Sequence, residues 1–395
     1  MNIVILSDRY HPTPVSGAVL MHDLACELAD QGHNIHVLTA DSNLDSEYSI
    51  SNESKVNVLR VRTQNQKKLN KPNRLLFELL LQRKIWKVFK KANINIKFDM
   101  LIAHSPTIFW SFLLKKLRKE YKSLPTYLIL RDIFPKWAVD TGIISRINPI
   151  YWFLKWHEEN LYKEVDTVGV QSQSNKEHFK TKKNNLKIEV LYNFKKIDSI
   201  KPQKSNIRDE LNLQNKVIFV FGGNLGFAQD IDNLLRLVNE FKKNESIHFL
   251  FIGEGTEYNK IKSWINNKLA KNIHLMPAVS DIEYQSILKE CDVGIISLRR
   301  SFKTDNFPNK IMNYMEYGLP ILASINPGND LGELIKENNN GLVSDNGNDE
   351  EFVSNAKIFL NNYDLRKAMG GNGKQLLQDQ FNVKKAVESI IHSAN

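Results

Sequence analysis

The chain has 395 residues, enough for two domains of ordinary size. A hydrophobic share of 42% and a charged share of 25% exclude wholesale disorder. The net charge of +10 is lopsided: residues 1–200 carry 31 basic and 20 acidic side chains, residues 201–395 carry 23 and 24, so the first half should meet something anionic, whether nucleic acid, a phosphorylated molecule or a membrane surface.

Taken in chain order, MNIVILSDRY has an apolar run too short for a signal peptide and reads as a first strand. Further strands are expected at 35–39, 56–61, 100–103, 126–130, 167–170 and 189–191, with helices between several of them. One such helix spans Ala18 to Gln31, where Gly32 suits the C-terminal cap. A second, from Pro72 to Ala92, carries an apolar stripe of Phe77, Leu81, Ile85, Val88 and Ala92. It lies within residues 60–97, which hold twelve Lys or Arg. That composition fits either an interfacial helix on anionic lipid or a core-packed helix with a solvated basic face. The segment from Tyr151 to Trp156 is a second candidate membrane contact or core element. The longest apolar stretch, Leu101 to Leu114, is interrupted by His104, Ser105 and Pro106 and is too short to span a bilayer.

Residues 201–216 read as the entry to a second domain. Strands are expected there at 217–222, 248–252, 273–275, 293–296 and 321–323, each followed by helix-like sequence. Alternation of this kind implies parallel sheets, and two such halves imply two Rossmann-like domains facing a cleft, an α/β architecture. The expected domains are 1–200, 201–373 and a terminal helix, 374–395, that follows Gly370, Gly371 and Gly373 and crosses back to the first domain. Cys26 and Cys291 form no CxxC pair, so a reduced compartment is expected, with neither disulfide framework nor thiolate metal site.

Five segments carry candidate chemistry. Ser7 to Ala18 is a loop at the carboxyl end of a parallel strand; Gly17 permits close backbone approach at a helix N-terminus, and no GxGxxG fingerprint is present. Phe221 to Asp232 places three glycines, including Gly223, beside Asn224 and Gln229, supplying free N–H groups for an anion. Its Asp230-x-Asp232 pair is better read as acidic residues favouring a helix start than as a metal site. Phe251 to Glu257 contributes Gly253 and Glu254 at the next strand end. Thr304 to Leu322 sets Pro308 in a first helical turn, with Asn309 and Lys310 at a positive helix N-terminus, the chemistry of a diphosphate site. Leu128 to Trp137 ends a strand on Arg131-Asp132, which either orients an acceptor hydroxyl or forms a simple ion pair. His104 ends another strand of that sheet.

In this order, with Leu191-Tyr192-Asn193 between them, the segments resemble the GT-B glycosyltransferases of family four, retaining enzymes that use nucleotide sugars, over nearly the whole chain. Leu130 to Pro135, Gly226 to Asp230 and Asn306 to Lys310 are similar to the WbuB-like branch, L-fucosamine transferases of O-antigen and capsule assembly. The broad family's Glu-x7-Glu falls on Asp305 and Asn313, and the Arg and Lys of its glycine loop fall on Asn224 and Gln229. The Pro-x-Lys lysine remains as Lys310.

The resemblance implies a UDP-sugar donor, UDP-N-acetyl-L-fucosamine, and an undecaprenyl-diphosphate-linked acceptor. It implies catalytic roles for Asp132, Asp305 and Lys310. Donor contacts are implied at Gly17, Gly223, Asn224, Gln229, Gly253, Glu254, Arg299, Asn306, Asn309 and Asn313, and acceptor-side contacts at His104 and Arg131. No metal or other cofactor is expected, and no nucleic-acid partner. The expected location is cytoplasmic, peripheral on the inner face of the bacterial plasma membrane through the basic first domain. The rivals are a nicotinamide-dependent epimerase or dehydrogenase, disfavoured by the missing GxGxxG; a nucleic-acid-binding protein, favoured by charge alone; a non-catalytic scaffold, favoured only by Asn313; and a transferase using another UDP-sugar such as UDP-N-acetylglucosamine.

Overall fold

The computed structural model describes residues 1–395 except 14, 66–68, 106, 141, 181–185, 198–204, 269, 302–306 and 395. Contacts divide the chain into one unit of Met1–Lys196 with Asn382–Asn395 and a second of Ile197–Phe381.

In the first unit the β-branched runs become β1 (Asn2–Leu6), β2 (Asn34–Asp41), β3 (Tyr48–Glu53), β4 (Val56–Arg62), β5 (Met100–Ser105), β6 (Thr126–Leu130), β7 (Thr167–Val170) and β8 (Lys187–Val190). The helices are α1 (Ser16–Asp30), α2 (Lys71–Lys91), α3 (Ser111–Glu120), α4 (Lys136–Asp140), α5 (Pro149–Lys163) and α6 (Gln173–Lys180). The sheet order is β3-β4-β2-β1-β5-β6-β7-β8, parallel except for β3. Strands covered on both faces read as unbroken apolar runs, and Ile3 to Leu6 are all fully buried. One sheet face packs against Leu81, Ile85, Val88 and Phe89 of α2 and against α3 and α5; the other packs against α1. The apolar stripe of α2 is therefore core, which settles the alternative left open for that segment.

The antiparallel edge strand β3 has too little apolar alternation to stand out in the sequence. Its place is fixed by Arg60 of β4, a buried side chain that donates to Glu53 (2.6 Å) and to the His11 carbonyl (2.6 Å). Arg60 is thus one member of the basic run that is not surface charge.

The second unit contains α7 (Ile207–Glu210), β9 (Val217–Gly222), α8 (Ile231–Glu240), β10 (Ile247–Ile252), α9 (Tyr258–Lys268), β11 (Ile273–Met276), α10 (Asp281–Leu288), β12 (Val293–Ser297), α11 (Lys310–Glu316), β13 (Ile321–Ile325), α12 (Asp330–Glu337), β14 (Gly341–Asp345), α13 (Asp349–Asn361) and α14 (Tyr363–Gln380). The order β11-β10-β9-β12-β13-β14 is that of a doubly wound sheet, with its topological switch between β9 and β12. β14, opened by a glycine, was not among the expected strands.

The expected single terminal helix is instead two. Gly370, Gly371 and Gly373 do not turn the chain; they lie inside α14. A Cβ at Gly370 would sit 1.9 Å from the Gly318 carbonyl oxygen, so glycine there lets α14 cross tightly over the end of α11. The helix break comes later, at Asn382, whose side chain caps α15 (Val383–His392). The first unit then gains α15, which buries Val383, Ala386, Val387 and Ile390 in the same cluster as Leu20, Met21 and Leu24 of α1. The boundaries accordingly fall at 196/197 and 381/382 instead of 200/201 and 373/374.

Candidate active site

In a doubly wound sheet, neighbouring strands at the switch point send their following loops to opposite faces and leave a crevice at their carboxyl ends. The second unit fills that position with interlocked glycine loops. Gly223 N–H donates to the Ile252 carbonyl (2.9 Å) and Leu225 N–H to the Glu254 carbonyl (2.7 Å). Gly253 (φ +149°) lies so close to Gly223 that a Cβ would fall 1.8 Å from its carbonyl oxygen, and Gly255 (φ +156°) stands in the same relation to Leu225. Side chains are excluded from both positions, and the backbones of the two loops form one surface. Gly223, Asn224 and Glu254 are exposed on it, and Asn224 folds over Gly226.

Lys310 enters from the start of α11. Its Nζ donates to Gln229 Oε1 (3.0 Å) and lies 3.6 Å from the centroid of the buried Phe221 ring. No carboxylate among the described residues lies within ion-pair range of it. Removal from water lowers its pKa to about 7. The ring face and the amide favour the ammonium but do not neutralise it, so the group is set to accept an anion. Asn309 precedes it, and the turn begins at Pro308, whose carbonyl accepts from Ile311 N–H. Asn313 is half-buried on the same short helix. Asp305 and Asn306 lie outside the described residues.

Arg299 follows β12 and crosses the switch point. Its Nε donates to the Phe227 carbonyl (2.9 Å), its guanidinium stacks 3.8 Å over the Phe227 ring, and its Nη2 lies 3.6 Å from Asp230. It braces the glycine loop. Sequence reasoning attached no role to Tyr314, whose hydroxyl accepts from the Gly222 N–H (3.1 Å) and so holds the loop from below. The signal was present: Gly294, one strand over, is the residue whose missing side chain makes room for the Tyr314 ring. Tyr284 likewise occupies the space that a side chain at Gly222 would need.

In the first unit the expected residues meet at the β1/β5 switch. Gly17, at the start of α1, lies against His104 on β5; a Cβ there would come within 2.9 Å of His104 Cε1. His104 is buried, neither ring nitrogen has a hydrogen-bond partner among the described residues, and burial, with Arg131 nearby, lowers its pKa to about 3. It is therefore a neutral imidazole at physiological pH. Arg131 donates to the Leu191 carbonyl (3.3 Å) and stacks 5.3 Å from Phe194, while its Nε and Nη2 are buried without partners. Burial pulls its pKa down, yet the guanidinium stays charged near neutral pH. Asp132, one residue on, is exposed. Arg131 and His104 together offer hydrogen bonds to an oxygen-rich ligand, and Asp132 offers an acceptor at the rim. Among the described residues no group of three His, Cys, Asp or Glu is placed to hold a metal ion.

Two doubly wound parallel-sheet units, each with its polar loops at its own switch point, define a GT-B glycosyltransferase. The family model for Glycosyltransferase Family 4 matches residues 17–197, and that for glycosyl transferases group 1 matches residues 203–376; the chain belongs to these glycosyltransferases, one model falling on each half. An uncharacterised glycosyltransferase of Methanocaldococcus jannaschii is 25% identical over 77% of this chain and 76% of its own length. The probable glycosyltransferase WbjE of Pseudomonas aeruginosa is 24% identical over 67% and 66%. The putative colanic acid biosynthesis glycosyl transferase WcaI of Escherichia coli is 22% identical over 32% and 31%. The fold is shared with the sucrose-phosphate synthase of Thermosynechococcus elongatus (TM-score 0.73, 14% identity, 99% of this chain and 98% of that one). It is shared also with Anabaena HepE, solved in complex with UDP (TM-score 0.69, 16% identity, 100% and 99%).

Proposed function

We propose that the protein transfers a sugar, N-acetyl-L-fucosamine by the resemblance of its motifs, from a UDP-sugar to an undecaprenyl-diphosphate-linked saccharide. The setting would be O-antigen or capsule assembly at the inner face of the bacterial plasma membrane. One observation carries this reading: a buried ammonium, Lys310, with no carboxylate partner among the described residues, beside a glycine-loop surface at a topological switch point. UDP in the HepE structure and the colanic acid assignment of WcaI support the donor class and the pathway class.

In the reaction, the bond between the sugar C1 and the β-phosphate oxygen breaks, and its electron pair stays on the diphosphate. The acceptor hydroxyl bonds to C1 on the same face and passes its proton to the departing phosphate oxygen. Configuration is retained without a side-chain nucleophile. The enzyme's main work is stabilising charge on the leaving diphosphate. Lys310 and the backbone N–H groups of Asn224 and Gly226 take that role, since those of Gly222, Gly223 and Leu225 already donate within the protein, with Gln229 orienting the lysine. By the resemblance, Asp305, Asn306 and Asn313 would contact the donor sugar, Glu254 the nucleoside, and Asp132, Arg131 and His104 the acceptor. No metal or further cofactor takes part.

The test is to incubate the purified enzyme with a panel of UDP-sugars, UDP-N-acetylglucosamine included, and a lipid-diphosphate-linked acceptor, and to detect product by mass. Product from one UDP-sugar and its loss in Lys310→Ala are expected. Normal transfer by Lys310→Ala would overturn the site assignment, and absence of product with every UDP-sugar would overturn the donor class.

A further inference from the structure

The first unit exposes a run of large apolar side chains that its core does not use. Ile147 is 89% exposed, Trp152 63% and Trp156 59%, and Ile143, Ile150 and Phe153 are also exposed. All lie between residues 143 and 156, in the approach to α5 and its first two turns. Soluble monomers rarely expose a contiguous apolar patch of this kind without a partner, and tryptophan is the residue most at home at a membrane–water boundary.

Topology fixes where this ledge stands. β6 and β7 are parallel neighbours, so α5 starts at the carboxyl rim of the sheet and runs back along it. α2, between β4 and β5, and α3, between β5 and β6, start at the same rim for the same reason. The three helices pack in the order α2, α3, α5 on one sheet face. Two more exposed apolar residues, Leu76 and Leu80, sit in the first half of α2, on the same rim. Behind them, on the outward face of α2, come Arg83, Lys84 and Lys87, all exposed and none in an ion pair among the described residues. Lys84 follows Leu80 by four residues, about 6 Å along the helix axis. Lys115, Lys116 and Lys119 of α3 lie exposed between the two flanking helices.

We propose that this face docks on an anionic lipid bilayer, the aromatic ledge of α5 entering the headgroup boundary and the bases of α2 and α3 meeting lipid phosphates. Apolar groups lead and cations follow within one to two helical turns, the depth order that such an interface requires. An acidic or neutral protein surface would complement the charge or the tryptophans, but not both in that order. Docked so, the carboxyl rim, which carries Gly17, His104 and Arg131, is held toward the membrane. This inference rests on the reading of the acceptor as lipid-linked, and it moves the inserting element from the α2 stripe, which is core, to α5.

The experiment is co-sedimentation of the full-length protein with phosphatidylcholine vesicles, with and without phosphatidylglycerol, at low and high salt. Wild type should bind the anionic vesicles and be released from them by salt. The variant Arg83→Gln/Lys84→Gln/Lys87→Gln should lose about a hundredfold in partitioning at low salt, each charge contributing about fivefold. The variant Trp152→Ser/Trp156→Ser should lose at least about tenfold with little change in melting temperature, since both rings are mostly exposed. Absence of wild-type binding, or binding by both variants equal to that of wild type, would overturn the proposal. So would loss of self-association in the ultracentrifuge as the sole effect of the aromatic variant, because the ledge would then join copies of the chain. Transfer to an acceptor dispersed in detergent separates the two readings. Both variants should be fully active there; a wild type that binds vesicles but transfers no sugar would leave the docking face standing and remove the transferase reading.

Discussion

The buried ammonium of Lys310 makes donor binding depend on pH in a calculable way. A UDP-sugar has a diphosphate esterified at both ends, so the ligand's charge is constant from pH 6 to pH 8.5. The anion binds the protonated lysine, whose pKa in the free protein is lowered to about 7 by removal from water. Affinity is therefore complete below that value and falls as pH rises through it. Between pH 6 and pH 8.5 the protonated fraction drops about thirtyfold, equivalent to ~2 kcal/mol of binding free energy. Near pH 6 binding takes up only about a tenth of a proton, at pH 7 about half, and near pH 8 almost one. Titration calorimetry in buffers of different ionisation enthalpy reads both quantities. Lys310→Met should bind weakly and without this pH dependence, whereas Lys310→Arg, always protonated, should bind with little pH dependence at whatever affinity its geometry allows. A wild-type affinity that is flat from pH 6 to pH 8.5, or a Lys310→Met protein that keeps the same slope, would refute the assignment of the ammonium to the diphosphate.

Three further outcomes follow from the packing. Gly370→Ala should destabilise the second unit by about 1–3 kcal/mol, because its Cβ meets the Gly318 carbonyl, whereas Gly371→Ala, where a Cβ meets nothing, should stabilise it by up to about 1 kcal/mol through helix propensity; thermal melts separate the two. Tyr314→Phe should strand the Gly222 N–H, cost about 1–3 kcal/mol and raise the donor KM, with turnover at saturation much less affected. Gly17→Ala should cut transfer by about tenfold or more as α1 shifts off the His104 ring, and adding His104→Ala should return part of the lost stability; strictly additive melting shifts in that double-mutant cycle would show that the two residues do not touch.

The periodicity of the chain determined most of the secondary structure. Thr126–Leu130, Thr167–Val170 and Val217–Gly222 appear at the expected bounds, because strands covered on both faces must be apolar without interruption, and that pattern is local. The site residues after β1, β9 and β10 were legible for a related reason: glycines clustered just past a strand announce backbone that must come close to something. What local pattern could not carry was partnership at a distance. Arg60 reads as surface charge until β3 folds beside β4 and brings Glu53 to it. Arg299 reads as a free cation for phosphate until the loop after β9 presents Phe227 and Asp230. Gly370 and Gly373 read as a turn, because a glycine that makes space for a crossing helix looks in sequence like one that bends the chain. The stripe of α2 and the aromatics of α5 have similar composition, yet one is core and the other is exposed. Only the sheet decides this, since α2 turns Leu81, Ile85, Val88 and Phe89 onto it, while α5 leaves Trp152 and Trp156 exposed on its outward face. Sequence set which segments are strands and helices and where backbone must stay bare; tertiary structure set which charges are neutralised, which apolar groups stay wet, and which lysine is buried against the Phe221 ring beside the glycine loops.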